Sequence, residues 1–337
     1  MNASRPTTKR VAVSLSTCLI VFAALCGFAP QPTAFAQRLH RVATATRHAK
    51  TGLVHVAPAA LASVVQTPAP ASSSKEANVF GMKIHYVEAG SGPVVVLLHG
   101  LGGNTMNWAF NVGTLAQKYR VVVPDQIGFG RSDKPLINYR ITTYVDFLDK
   151  FLSELKIEKA SLVGNSMGGW IAAAYALAHP SKVERLVLAD AAGFAPPKDF
   201  DLKSLSGLNP TTREGMRQLA SLVFYNKQLF TNDAAIDLML TQRLAAGDGY
   251  TIQRLIESIA RNEDMLDNRL AAIKQPTLII WGRDDGLTPF AREGERFKKE
   301  MPAARFVVFE QCGHVPQVEK AAEFNAAVLQ FLGGSSN

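Results

Sequence analysis

The stretch Leu162-Val163-Gly164-Asn165-Ser166-Met167-Gly168-Gly169-Trp170 constrains this chain more than any other. An apolar run that suits a buried strand ends in Gly-x-Ser-x-Gly and gives way to Met167 to Ala178, which has helical periodicity. A chain that turns this sharply from strand to helix leaves no room for a Cβ two residues before or after the serine, and both places hold glycine. The turn presents Ser166 at a strand end, where the helix behind it supplies oriented N–H groups and the positive end of its dipole. A strand that feeds a helix in this way belongs to a parallel sheet covered by helices.

The rest of the chain fits that frame. Strands are predicted at Met82 to Glu88, Val94 to Leu98, Arg120 to Val123, Ser161 to Val163, Val183 to Leu188, Thr277 to Trp281 and Arg305 to Phe309. Helical segments lie between them, near Asn111 to Lys118, Thr142 to Leu155, Met167 to Ala178, Phe290 to Met301 and Ala321 to Leu332. Continuous runs such as Val94-Val95-Val96-Leu97-Leu98 suit strands buried on both faces. The predicted class is α/β, with a mostly parallel central sheet flanked by helices. From Pro196 to Arg269 no strand is evident, yet Arg213 to Phe224, Ala234 to Arg243 and Ile252 to Ile259 are amphipathic. An interval this long is rarely structureless in a compact domain, so it reads as an inserted helical cap over 196–269, between core segments 78–195 and 270–334.

A serine hydroxyl needs a base to become a nucleophile, and the base needs an acid to orient it. The strand ending at Trp281 is followed by Gly282-Arg283-Asp284-Asp285-Gly286-Leu287-Thr288-Pro289, and the strand ending at Phe309 by Glu310-Gln311-Cys312-Gly313-His314-Val315-Pro316. In a parallel sheet the carboxyl ends of the strands share one edge, so Ser166, the Asp284/Asp285 pair and His314 can converge there. Other polar residues are assigned structural roles. His99 braces its loop, Asp125 to Pro135 forms a glycine-braced loop without the lysine of a phosphate cradle, and Cys312 is a buried neutral thiol. No histidines or carboxylates stand at metal-ligand spacing, and no cofactor is implied.

The chain from about Val79 to Leu332 resembles a capped α/β-hydrolase. The likeness rests on the serine turn, on His99-Gly100-Leu101-Gly102-Gly103, and on Pro124-Asp125-Gln126-Ile127-Gly128-Phe129-Gly130-Arg131-Ser132-Asp133-Lys134-Pro135. The resemblance implies Ser166 as nucleophile, His314 as general base and Asp285 as acid, with Asp284 or Asp190 as alternative acids. It also implies an oxyanion hole from the backbone N–H groups of Leu101 and Met167. Relatives that open epoxides or displace halide carry aspartate where this chain has Ser166, so acyl transfer to water is expected. The substrate is expected to be a small, mostly apolar ester. The alternatives are a hydrolase of carbon-carbon bonds in ring-fission products, whose Gly-Asn-Ser-Met-Gly-Gly turn is similar, and a non-catalytic small-molecule receptor on the same scaffold. Asn104 and Val315 depart from the carbon-carbon hydrolase pattern. Cap residues such as Phe224, Phe230 and Leu238 are candidates for an apolar pocket, with the cap's own core as their default place.

The formal net charge of +8 comes mostly from the N-terminal segment. Residues 1–36 carry Arg5, Lys9 and Arg10 without an acid, and residues 37–78 carry five basic residues against Glu76, which leaves +1 for the rest. A nucleic-acid partner is therefore not expected. Arg5, Lys9 and Arg10 precede an uncharged apolar run and then Ala34-Phe35-Ala36, the layout of a signal peptide over 1–36 that directs export to the periplasm or beyond. An uncleaved membrane anchor is the alternative. Residues 37–77, rich in Ala, Pro, Ser and Thr, read as a disordered basic linker able to associate weakly with membranes or anionic surfaces. Cleavage before Gln37 would leave Cys312 as the sole cysteine, so stability is expected from a core and not from a disulfide.

Overall fold

A computed structural model describes residues 70–334. The signal segment and most of the linker expected from the sequence lie outside the described residues. Eight strands form one sheet: β1 (Ser73–Val79), β2 (Met82–Ala89), β3 (Val94–Leu98), β4 (Arg120–Pro124), β5 (Ala160–Asn165), β6 (Val183–Ala189), β7 (Thr277–Gly282) and β8 (Arg305–Phe309). Their order is β1-β2-β4-β3-β5-β6-β7-β8. The β1/β2 and β2/β4 pairs are antiparallel, and the pairs from β4 through β8 are parallel.

Side-chain alternation divides the core between two faces. Val96, Leu98, Leu162, Leu186, Leu188 and Ile279 pack on one face. That face is covered by α2 (Ile141–Glu154) and α3 (Met167–Ala178), whereas α1 (Ala109–Leu115) packs on the other. Val95, Leu97, Val121, Val163, Val187, Leu278 and Ile280 belong to that second face. Helix α3 is buried nearly all round, because its Ala172-Ala173-Ala174 run lets it lie close to the sheet.

Among the described residues the interval between β6 and β7 contains no strand, and its amphipathic stretches form helices. It holds a 3-10 turn (Leu202–Leu208) and the helices α4 (Arg213–Val223), α5 (Lys227–Phe230), α6 (Asp233–Ala245) and α7 (Gly249–Ala260). Thr212, Asn226 and Asn232 cap α4, α5 and α6 by accepting main-chain N–H groups, which explains where these helices start. After β7 come a π-helical turn (Phe290–Gly294) and α8 (Glu295–Glu300); after β8 come α9 (Pro316–Glu319) and α10 (Ala321–Gly333).

The linker boundary requires correction. The sequence placed residues up to 77 in a disordered linker, yet β1 starts at Ser73 and pairs with β2 from Ser73↔Glu88 to Val79↔Met82. Only Val79 of this strand is buried. Strand β1 is an edge held by its ladder and by polar contacts such as Lys75 to Glu88 (2.6 Å), so it shows no apolar alternation to read.

Candidate active site

Ser166 sits between β5 and α3 with φ 57° and ψ −121°, a conformation that a side-chain-bearing residue holds only where its surroundings fix it. Its N–H donates to the carbonyl of Ala189 (2.9 Å), and its own carbonyl accepts from Trp170 (3.1 Å) and Ala192 (3.2 Å). The flanking glycines are required by contact. A Cβ on Gly164 would lie 2.5 Å from the Gly169 nitrogen, and one on Gly168 would lie 2.6 Å from the Leu98 carbonyl carbon.

Gly100 faces the serine, since a Cβ there would stand 3.1 Å from Ser166 Cβ. This places the His99 to Gly103 loop beside the nucleophile position, with Leu101 next to Gly100 and Met167 next to Ser166. Among the described residues, neither the Leu101 nor the Met167 N–H is taken by another protein group. His99 is fully buried and braces this loop as expected. Its Nδ1 donates to the Gly100 carbonyl (2.8 Å) and its Nε2 accepts from the Gln126 N–H (3.0 Å). Burial pushes its pKa down, which agrees with a neutral ring. Asp125 anchors the following loop by accepting from Thr105 N–H (2.6 Å), Arg131 N–H (2.8 Å) and His85 Nδ1 (2.8 Å).

His314 and Asp285 are both buried and meet at 2.8 Å, Nδ1 to Oδ2. The other Asp285 oxygen accepts the N–H groups of Leu287 (2.8 Å) and Thr288 (3.0 Å), and Thr288 Oγ1 donates to Oδ2 (2.6 Å). Burial acts to raise the Asp285 pKa, but the adjacent imidazole and these donors outweigh it and hold the carboxyl below its ordinary range. Asp284 is exposed, its N–H given to the Cys312 carbonyl (2.9 Å), so of the adjacent acids it is Asp285 that faces the histidine. Cys312 is buried, and burial pushes its thiol up, so it stays neutral. Ser166 Oγ forms no hydrogen bond among the described residues; such contacts are commonly loose in a substrate-free site and tighten on binding.

Three positioning features went unread in the sequence. Asn165, given no role from the sequence, donates from Nδ2 to the His314 carbonyl (2.9 Å) and accepts from Gln317 Nε2 (3.1 Å), which fastens the histidine loop beside Ser166. The end of α4 is stitched to the loops that carry Asp285 and His314, since Leu222 O accepts Gly286 N–H (3.0 Å) and Val223 O accepts His314 N–H (2.7 Å). Glu319 joins the same pieces, accepting Gly313 N–H (2.7 Å) with one oxygen and Tyr225 N–H (3.0 Å) with the other. A glutamate following His-x-Pro was visible in the sequence, but its partners are main-chain groups with no signature of their own.

Asp190, Asp285 and His314 place potential ligand atoms within 4.8 Å of one another. A zinc ion holds its nitrogen and oxygen ligands at about 2.0–2.2 Å, which spreads them more than 3 Å apart. The 2.8 Å between His314 and Asp285 is instead a direct hydrogen bond.

The sheet order, the serine turn and the loops at the carboxyl ends of β7 and β8 are those of one fold family, and residues 93–321 match the family model described as alpha/beta hydrolase fold. The chain belongs to this family. A 2-hydroxy-6-oxononadienedioate/2-hydroxy-6-oxononatrienedioate hydrolase of Paraburkholderia phymatum is 35% identical to this α/β-hydrolase over 286 residues, 79% of this chain and 98% of the relative. Among solved structures, a meta-cleavage product hydrolase from Pseudomonas fluorescens is similar with a TM-score of 0.69 and 30% identity, covering 77% of this chain and 97% of that one. A membrane phospholipase A, described as a bacterial virulence factor, is similar with a TM-score of 0.70 and 30% identity, over 78% of this chain and 86% of its own. No helix among the described residues is long and apolar enough to cross a membrane.

Proposed function

We propose that this hydrolase attacks a carbonyl carbon with Ser166, using His314 as general base and Asp285 as the acid that orients it. The observation that carries the reading is the buried His314–Asp285 pair, fastened through Asn165 to the turn that holds the serine. His314 Nε2 takes the Ser166 proton as Oγ bonds to the carbonyl carbon. The oxyanion forms against the unengaged N–H groups of Leu101 and Met167, and the protonated imidazole then delivers its proton to the leaving group. Water, deprotonated by the same imidazole, releases the acyl group and regenerates the serine.

The leaving group separates two readings. Relatives named for ring-fission products span nearly their whole length on this chain, and this favours carbon-carbon bond cleavage over the ester hydrolysis that the sequence ranked first. Hydrolysis of an apolar ester is the second reading. Arg213, Arg217, Arg243, Arg254 and Arg261 of the cap are each already held by a carboxylate, which leaves these five poorly placed to bind a dianionic substrate.

Steady-state turnover of a ring-fission dienoate beside p-nitrophenyl esters of increasing chain length tests both readings. The first expects kcat/KM for the dienoate to exceed that of every ester, and the reverse order selects the second. Fluorophosphonate is expected to label Ser166 in either case. Absence of labelling together with absence of turnover would leave the receptor alternative standing.

A further inference from the structure

Asp190, an alternative acid in the sequence, lies beside the catalytic pair, in which Asp285 takes the bond to His314. It follows the last residue of β6 with φ 44°, a left-handed conformation held only where its surroundings fix it. Its N–H donates to the Ile280 carbonyl (3.0 Å), and its Oδ1 accepts the N–H of Gly282 (2.8 Å), where the Asp285 loop begins. Its other oxygen, Oδ2, is buried and meets no donor. The side chain is fully buried within the cluster that includes Asp285 and His314.

The titratable groups facing this carboxyl are Asp285 from the loop after β7, His314 and Cys312 from the loop after β8, and Glu319 from α9. His314 is the one potential cation among them, and it is already paired with Asp285. The Thr288 hydroxyl, 3.3 Å from the Asp190 main-chain carbonyl, is given to Asp285. Two carboxylates this close, sealed from water, cannot both be ionised, and an oxygen that meets no donor beside a second carboxylate must carry the proton itself.

We infer that Asp190 is a positioning residue held as the neutral carboxylic acid, whose Oδ2–H donates to Asp285, so that the pair carries one negative charge on the member that faces His314. The proposal rests on the catalytic reading above for its purpose. Burial and then the Asp285 charge both push Asp190 well above the ordinary carboxylate range, the direction this arrangement requires. A single fixed charge keeps Asp285 a good acceptor for the imidazole N–H, and the donated proton limits rotation of its carboxyl.

An infrared difference spectrum between wild type and Asp190→Asn at pH 7 tests the protonation without substrate. A carboxylic-acid carbonyl band is expected to disappear in the variant. Loss of an ionised-carboxylate band instead would overturn the proposal. This readout stands apart from catalysis, so it is unaffected if Ser166→Ala keeps activity and the catalytic reading falls. In turnover, the amide of Asp190→Asn donates where the acid did, so kcat/KM stays within about threefold and the acidic limb of the pH profile stays in place. A limb displaced to lower pH by about one unit or more would mean that Asp190 was ionised, since loss of a nearby negative charge lowers an imidazole pKa. Asp190→Leu, which has no donor, is expected to lose about tenfold in kcat with KM little changed, and Asn to restore it. Full kcat in the Leu variant would refute the positioning role. Should that variant fail to fold, the infrared band and the Asn pH profile decide.

Discussion

A methyl group added at Gly168 should cripple the enzyme without touching a reacting atom. A Cβ at this position would stand 2.6 Å from the Leu98 carbonyl carbon and 2.7 Å from the His99 carbonyl oxygen. Non-bonded carbons rest at about 3.5–4.0 Å, so relief requires a shift of about 1 Å, and both obstacles are main chain. Helix α3 must therefore withdraw from the end of β3. Met167 rides on the first of these elements and Leu101 follows the second, so the two proposed oxyanion donors separate by the same amount. Misplacement by about 1 Å costs roughly 10²-fold, and complete loss of one donor costs about 10²–10³-fold. Because the oxyanion exists only in the transition state, the fall should appear in kcat with KM little changed. The crowding itself should cost about 1–3 kcal/mol of stability. The assay compares Gly168→Ala with Gly249→Ala, where an added Cβ meets nothing within 4 Å, by kcat, KM and melting temperature. A folded Gly168→Ala enzyme with kcat within threefold of wild type would refute the reasoning.

Four further outcomes are expected. Ser166→Ala, His314→Ala and Asp285→Asn each lower turnover, the first two by about 10³-fold or more, while Asp284→Asn is nearly silent; the same kinetic assay checks all four. Glu319→Ala strips acceptors from Gly313 and Tyr225, and should cost about 1–3 kcal/mol in denaturant melts together with a loss of kcat. The raised Asp190 pKa gives stability that is complete below the ordinary carboxylate value and is lost as pH rises toward the folded-state value. Asp190→Asn should thus gain melting temperature over wild type at pH 8 but not at pH 4. A chain beginning at Asn78 should melt lower than one beginning at Pro70, because it lacks most of the β1/β2 ladder, and calorimetry of the two forms measures the difference.

The parts of the fold that show in the sequence are those that bury side chains. Val94 to Leu98 and Thr277 to Trp281 are apolar because both faces of their strands are covered, and the serine turn is legible because only glycine fits beside Gly168 and Leu98. The parts that do not show are held by the main chain. Strand β1 is a ladder of mostly exposed residues, and the stitching of α4 to the catalytic loops uses the carbonyls of Leu222 and Val223, which any side chain could accompany. In the cap, Phe224 and Phe230 stack on each other with ring centroids 3.9 Å apart, which places them in the cap's own core. Asp190 was visible as an alternative acid, but the orphaned oxygen that suggests its protonation exists only in three dimensions.

The order of the strands has a consequence for the newborn protein. The serine turn follows β5, whereas the acid and the base follow β7 and β8, on the far side of the whole cap. A ribosome adding roughly 5–20 residues per second releases Ser166 on the order of ten seconds before His314. During that interval the nascent chain carries a serine with no base, and a chain cut short before His314 carries one permanently. With the proposed triad, hydrolytic competence is thus among the last properties the molecule acquires, and incomplete copies lack it.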